Sequence, residues 1–385
     1  METSELLEII GRGEDGKHQF KANISNGGSL AAEIVAFSNS GGGQIFIGVN
    51  DDGTRSGLTA ENLTGKHGLN QLISSVASDQ VKPAVNVSTE NIKLLDGLVV
   101  VVSVQDGISK PYFDNAGVIW VKSGADKRKV TSREEMQRMF QKAGLVHGDE
   151  IAANGVTTAD IDLDYFRRFY QAEYGEELAQ SGIPLPQLLE NMNLASEGVL
   201  NIAGSLLFSR TPNVRLPAFI VKAVAFPGTT IEESNYLDSK DLTGKIADIF
   251  QKTINFIISN LRSVQGEGGF NTLGEAEIPR EALEELVANA LIHRDYFISA
   301  PIRVFVFQDR VEIISPGHLP NNLTIQNVLK GNSNIRNPIL ASFATRILPY
   351  RGLGSGIRRA IKAYPQISLV DDREGNLFIV TLSRR

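Results

Sequence analysis

Three consecutive glycines, Gly41-Gly42-Gly43, divide a helical pattern from a strand pattern, and no other feature constrains the first part of the chain as tightly. Upstream, Leu30, Ile34 and Phe37 fall on one face of a helix over 29–39. A glycine run of this kind ends a helix. Downstream, 44–49 reads as a buried strand, closed by the turn Asn50-Asp51-Asp52-Gly53. A helix over 68–78 follows, then strands over 98–104 and 118–122. Ser132-Arg133-Glu134-Glu135 has the capping-box pattern and starts a helix reaching about 143. The pattern predicts an α+β unit over 1–145.

With 385 residues, two or three domains are expected. A small, polar stretch over 144–158 marks the first boundary. The region 146–275 reads as an acidic connecting segment, packed with the next part or separate from it. Within it, 188–192, 203–208 and 219–226 read as helix, strand and strand, and 246–261 as a long amphipathic helix. Gly266-Glu267-Gly268-Gly269 reads as a break. The last part, 276–385, carries a helix over 280–293, a hairpin over 302–307 and 311–314, and a closing hairpin turn over 371–376.

Charge separates these regions. Net charge is −2 over 1–144, −8 over 145–275 and +4 over 276–385, within a total of −6. A polyanion is expected on the outer thirds, and the middle suits a scaffold or subunit contact. The chain has no cysteine, which excludes disulfides, a thiol nucleophile and cysteine-based metal sites. Its five histidines include no His-x-x-x-His pair, so a transition-metal site is not expected. The acidic start is unlike a signal peptide, and the longest apolar run, 98–102, is too short for a bilayer. A soluble cytoplasmic protein is expected.

The helix over 280–293 has two faces. Leu283, Leu286, Val287, Ala290 and Leu291 form an apolar stripe. Glu281, Glu285, Asn289 and His293 recur every four residues as a polar ridge. A carboxylate one turn before a carboxamide presents oxygens that suit Mg²⁺, and the carboxylate is placed to activate water. The same ridge also fits an ordinary solvated face. Downstream, 330–362 holds seven Lys or Arg (Lys330, Arg336, Arg346, Arg351, Arg358, Arg359 and Lys362) and no acid. Inside it, Arg351-Gly352-Leu353-Gly354-Ser355-Gly356 precedes a helix over 357–364, an arrangement that favours an anion.

This order resembles the GHKL ATPase superfamily. The resemblance implies a GHKL-like α/β sandwich, with ATP and Mg²⁺ as cofactors. It implies Glu285 as general base, Asn289 as Mg²⁺ ligand, and Gly352, Gly354 and Gly356 as the phosphate loop. One position departs from that pattern: Ser315 stands where the superfamily has the aspartate that reads adenine. Glu-Leu-Val-x-Asn-Ala-x-x-His-Arg-Asp-Tyr (285–296), Ser-Pro-Gly (315–317) and Arg-Asn-Pro (336–338) resemble the divergent GHKL domain of a bacterial group of transcriptional regulators. His293, Ser315 and Gly317 are thereby expected at the nucleotide site. His293-Arg294-Asp295 also fits a structural knot at the helix end.

In that group the first domain is Schlafen AlbA-like. Glu14-x-x-x-x-Gln19-Phe20-Lys21, Ala36-Phe37-Ser38-Asn39-Ser40-Gly41-Gly42 and Ile47-Gly48-Val49-Asn50-Asp51-Asp52-Gly53 resemble its signature. Lys21, Asn39, Lys127, Arg128 and Lys129, with Lys122 and Arg133, are candidate nucleic-acid contacts, and the exposed amides of Gly41 to Gly43 would add to them. Lys127 to Lys129 also fit a solvated turn. Schlafen ribonucleases use three acids, and the matching positions are Glu14, Gln19 and Asp51, with Asp52 as a stand-in. An amide at 19 cannot act as a base, so a binding module is expected rather than a nuclease.

The resemblance implies a DNA-binding or RNA-binding regulator that acts as a homo-oligomer, with a working ATPase as the alternative. Many relatives continue into a winged helix-turn-helix, whereas this sequence stops at Arg385 after a hairpin strand: either it is cut short of that reader or this member lacks it, and the main argument for sequence-specific operator binding falls away.

Overall fold

The computed structural model describes residues 1–63, 68–231, 235–264, 275–320, 323–352 and 354–384. The Gly266–Gly269 break and Leu353 lie outside them. The chain divides into two compact units, Met1–Val146 and His147–Arg385.

The first unit is built on a four-stranded sheet. Its elements are α1 (Thr3–Arg12), β1 (His18–Lys21), α2 (Gly27–Asn39), β2 (Gly43–Ile47), α3 (Leu69–Asp79), β3 (Val87–Leu94) and β4 (Gly97–Val104), followed by the hairpin β5 (Trp120–Ser123) and β6 (Asp126–Lys129) and by α4 (Arg133–Lys142). Strand order is β1-β2-β4-β3, with β1 and β2 parallel and the other pairs antiparallel. Alternation along β4 sorts the core: Val100, Val102 and Val104 meet α2 and α3, while Val99 and Val101 meet Leu6, Ile9 and Ile10 of α1. Both sheet faces are therefore covered by helices. Ser132 caps α4 by accepting from the Glu135 N–H at 3.4 Å.

Gly41 and Gly42 take φ of +90° and +72° and turn the chain from α2 into β2. The Gly42 N–H donates to Phe37 O at 2.8 Å, and Lys17 Nζ donates to the Gly41 and Gly42 carbonyls. The turn is thus a helix cap whose central amide is engaged, rather than the anion-binding turn expected from its glycines.

The second unit carries a six-stranded sheet. Its elements include α5 (Ile202–Phe208), β7 (Val221–Ala225), β8 (Asp238–Leu242), α6 (Ile246–Ser259), α7 (Arg280–His293), β9 (Ile302–Val306), β10 (Arg310–Pro316), α8 (Pro338–Ile347), α9 (Gly356–Ala363), β11 (Ile367–Asp372) and β12 (Leu377–Ser383). Strand order is β8-β7-β9-β10-β12-β11, with only β7 and β9 parallel. Helices α6 and α7 pack on one face, where Ile254, Ile257, Leu283 and Leu286 meet Val221, Ala223, Val304 and Ile313.

Residues 203–208 form a helix, not the strand read from their apolar run. A short run of buried residues carries no period to separate the two states. Asn201 settles it, since its Oδ1 accepts from the Gly204 N–H at 2.7 Å and caps the helix. The acidic 160–250 stretch supplies part of this unit's core, through Phe166, Leu189, Phe208 and Ile249.

Candidate functional site

In the second unit α7 begins after Pro279, which suits a first turn, and runs to His293. Its apolar stripe is buried apart from half-buried Ala290, Glu281 is exposed and Glu285 is only 6% exposed. The polar ridge is therefore not a solvated face along its whole length. Glu285, Asn289 and His293 line one cavity that opens to solvent. Ser315 and Gly317 reach it from the end of β10, and Gly352, Gly354 and Gly356 from the approach to α9. All eight positions singled out in the sequence for the nucleotide site thus border one space. Leu286, Ile313, Phe378 and Val380 make the rest of it largely apolar.

The polar groups form a connected set. Glu285 Oε2 accepts from Arg359 Nη2 at 2.6 Å, and Oε1 accepts from Asn289 Nδ2 at 3.1 Å. Asn289 Nδ2 also donates to Glu285 O at 2.6 Å. The amide hydrogens are thereby engaged, while the Asn289 carbonyl oxygen makes no hydrogen bond among those found in the described residues. Two glycines are required by close packing. A Cβ on Gly356 would fall onto the Glu285 carboxylate, and one on Gly354 onto the Gly331 carbonyl. His293 Nε2 lies 3.0 Å from the Tyr350 hydroxyl. Burial, with a smaller push from Arg336, lowers the His293 pKa to about 4, so the ring is neutral near pH 7. Burial and the Glu285 charge raise the Tyr350 pKa, which keeps its proton on.

At the other end of the cavity the Ser315 hydroxyl donates to Ala290 O at 3.3 Å, which spends its one hydrogen and leaves its lone pairs to accept from a ligand. His318 Nδ1 donates to Leu319 O at 2.7 Å, so the neutral ring carries its lone pair on Nε2. Asp295 and Arg294 serve the fold. The Arg294 guanidinium is buried, donates to Ile298 O and Ala300 O, and lies over the Phe219 and Tyr296 rings. Asp295 Oδ1 accepts from the Phe297 N–H. The structural-knot alternative describes these two, and the cavity describes His293.

The basic run over 330–362 does not act as one field. Arg346 pairs with Glu173, and buried Arg336 donates to His318 O. Among the described residues lining the cavity, Arg359 is the one Lys or Arg. Sequence reading missed its role, although Ser355, at the N-cap of α9, and Arg359 are four apart and their contact, Nη1 to Oγ at 3.0 Å, follows from that spacing. Tyr350 and His318 gave no such signal.

A divalent cation with a phosphate-bearing ligand fits this donor set in part. The free Asn289 oxygen suits a hard cation, the glycines admit close backbone approach, and Arg359 suits phosphate. No group of three or more His, Asp or Glu able to hold a metal occurs among the described residues, so such a cation would take its remaining ligands from phosphate and water.

In the first unit Glu14 and Gln19 meet, but not as a metal pair. Glu14 Oε1 accepts from Gln19 Nε2 and from the Phe20 N–H, and Gln19 Oε1 accepts from Lys122 Nζ at 2.8 Å. Burial pushes the Lys122 pKa below its ordinary range, ahead of the opposing pull of Glu33. Asp51 makes no hydrogen bond or ion pair with either among the described residues. Asp52 does not stand in, because Thr54 holds its carboxylate within the turn and below the usual range.

The expected phosphate contacts are also largely engaged. Asn39 bonds Tyr112 and Trp120 backbone through both ends of its amide, and so braces α2 against β5 instead of facing a ligand. Lys127 binds buried Glu33 at 2.6 Å, and Lys21 lies 3.8 Å from the same carboxylate. Arg128 forms a two-bond pair with Glu135. Lys129 is exposed and lies over the Trp120 ring at 5.3 Å.

Two family descriptions match the two units separately. Residues 14–131 match the family described as Schlafen, AlbA_2, and residues 299–376 match "Putative ATP-dependent DNA helicase recG C-terminal". The second match contains Ser315, Gly317 and the three loop glycines, and α7 lies before it. The fold is thus mixed α/β, with an N-terminal Schlafen AlbA_2 domain and a C-terminal ATPase-like domain. No curated protein matches. Among solved structures, the DIP2311 protein of Corynebacterium diphtheriae is similar at 21% identity and TM-score 0.47, over 99% of this chain and 80% of that one. The N-terminal domain of a RecG-related protein from Nitrosomonas europaea is similar at 18% identity and TM-score 0.23, over 34% and 97%. No helix among the described residues is long and apolar enough to cross a membrane. The two family matches together suggest a nucleic-acid-related ATPase-type protein.

Proposed function

We propose that the chain is a DNA-binding regulator whose second unit senses a nucleotide, with the first unit contacting the nucleic acid. The observation that carries this reading is the convergence of Glu285, Asn289 and the loop glycines on one cavity. In it Asn289 would hold Mg²⁺, the amides near Gly354 and Gly356 would border the phosphates, and the apolar end would take the base. Bound Mg²⁺ would supply charge neutralisation for the phosphates. His318 Nε2 and Ser315 offer neutral acceptors where a carboxylate would read adenine, so weak discrimination between adenine and other bases is expected.

In the empty site the Glu285–Arg359 pair favours sensing over turnover, since a carboxylate engaged by a guanidinium is a poor base. A nuclease is disfavoured by Gln19 and by Lys122, whose ammonium occupies ground that a cation would need. A homo-oligomer remains part of this proposal through the family resemblance.

Calorimetry with ATP and Mg²⁺ tests the site. Binding by the wild type, about tenfold weaker in Asn289→Ala, is expected, and equal binding by both removes Asn289 from the site. Gel-shift assays with duplex DNA at two salt concentrations test the first unit. Binding that ignores salt, or Asp51-dependent cleavage, overturns the regulator reading.

A further inference from the structure

We propose that Arg359 recognises the terminal phosphate of the ligand, and that it does so by leaving Glu285. This rests on the nucleotide-site reading above and adds a specificity residue to it. Arg359 and Glu285 are the one Lys or Arg and the one Asp or Glu among the described residues lining the cavity, and they are paired at 2.6 Å. Paired, they leave the cavity without net charge. A polyphosphate needs positive charge, and the guanidinium fork matches phosphate oxygens as well as it matches a carboxylate.

The two partners are not equally free to move. The Glu285 side chain is 8% exposed and the Arg359 side chain 28%. Glu285 is held on its other oxygen by Asn289, and Gly356 packs directly against its carboxylate. Arg359 sits on the first turn of α9, anchored by one bond to Ser355. In an exchange the carboxylate stays and the guanidinium swings to the incoming phosphate. That frees Glu285 Oε2 beside the cavity only when a terminal phosphate is present. A diphosphate, one charge-bearing group shorter, draws Arg359 less. The pair therefore distinguishes a nucleoside triphosphate from a diphosphate, and links exposure of the carboxylate to full occupancy.

Calorimetry with Mg²⁺ and either ADP or the non-hydrolysable β,γ-imido analogue of ATP tests this on the full chain. The proteins are wild type, Arg359→Gln, Arg359→Lys, Glu285→Gln and the double Gln variant, each checked by thermal melt. The wild type should prefer the triphosphate about tenfold, and Arg359→Gln should reduce the preference below about threefold. Glu285→Gln should bind the triphosphate about tenfold more tightly than wild type, because no pair has to break. That gain should vanish in the double variant, a coupling that a purely structural brace does not produce. Arg359→Lys should keep part of the preference, having charge without the fork. Weaker triphosphate binding by Glu285→Gln, or an unchanged ratio in Arg359→Gln, overturns the role of Arg359. Wild-type binding of both ligands without preference overturns it too, while leaving the site reading standing. No nucleotide binding by the wild type overturns both.

Discussion

In each unit a carboxylate stands beside a carboxamide and a cation, and the two sets are wired differently. In the first, Gln19 lies between Glu14 and Lys122, donating to one and accepting from the other. The carboxylate also accepts from the Phe20 backbone, so the chain of bonds closes on itself. In the second, Glu285 is the middle member, with Asn289 on one oxygen and Arg359 on the other. That leaves the amide oxygen of Asn289 and the exchangeable guanidinium beside a cavity. The same three kinds of group, carboxylate, carboxamide and cation, thus make a brace in one place and a candidate site in the other. What decides is which member sits in the middle, and whether open space adjoins it. Carboxylate count and spacing alone do not carry that information.

The largest test of the difference is Gly356→Ala. The added Cβ would fall onto the Glu285 carboxylate and push it into the cavity, where its negative charge would occupy the space the phosphates take and repel them. We expect about 100-fold weaker nucleotide binding by calorimetry, and a stability loss of about 1–3 kcal/mol in denaturant melts. Binding and stability both close to wild type would mean that the carboxylate has another resting place, and that the tight wiring ascribed to this site is wrong.

Much of this arrangement was legible in the sequence. The four-residue spacing of Glu285, Asn289 and His293 fixes them to one side of a helix whatever the rest of the chain does, and the glycines mark close approach because no other residue fits there. What stayed hidden depends on partners distant in sequence. Asn39 reads as a free polar group until Tyr112 and Trp120 are seen to take both ends of its amide. Strand β3 has an exposed, polar face over Ser88 to Asn91, and so carries no apolar alternation to announce it. The seven charges over 330–362 can be counted along the chain, whereas Glu173 and His318 O, which take up two of its arginines, cannot be located that way.

A second test uses pH. His293 has a folded pKa near 4 against an ordinary value of 6.5, because burial disfavours its charged form. Above pH 6.5 neither the folded nor the unfolded state carries the proton, and the residue costs nothing. Between 6.5 and 4 the unfolded chain takes up a proton that the folded one refuses, so stability falls as pH falls, by about 3 kcal/mol in total. Below pH 4 the effect is flat. His293→Gln should remove this component, read as the difference between the two proteins' unfolding free energies across pH 4–7. The counterpart in the first unit, Lys122, has its pKa lowered from 10.5, and its shift is not expected to register in that window as His293 does. A difference curve without slope would show that the folded His293 titrates near its ordinary value of 6.5, so that below that pH it would add a cation to the site and weaken the special place of Arg359.

The smallest effects concern the surface of the first unit, where pairing again separates residues that look alike in sequence. Lys129 is exposed and lies over Trp120, whereas Arg128 is held by two bonds to Glu135. Phosphate binding releases counterions in proportion to the cations that are available for contact. Lys129→Ala should therefore weaken DNA binding about threefold to tenfold at 0.1 M salt and lower the salt slope by about 1. Arg128→Ala, losing a charge already neutralised, should change affinity less than about twofold. Glu135→Gln inverts the logic: it frees Arg128 and should strengthen binding while raising the slope. Gel shifts at three salt concentrations read all three variants. Equal losses for Lys129→Ala and Arg128→Ala, with no gain for Glu135→Gln, would mean that the ion pair opens at no cost when DNA arrives. The first unit would then use an exchangeable arginine just as the second is proposed to do, and the contrast between brace and site would rest on the Glu14–Gln19–Lys122 chain alone.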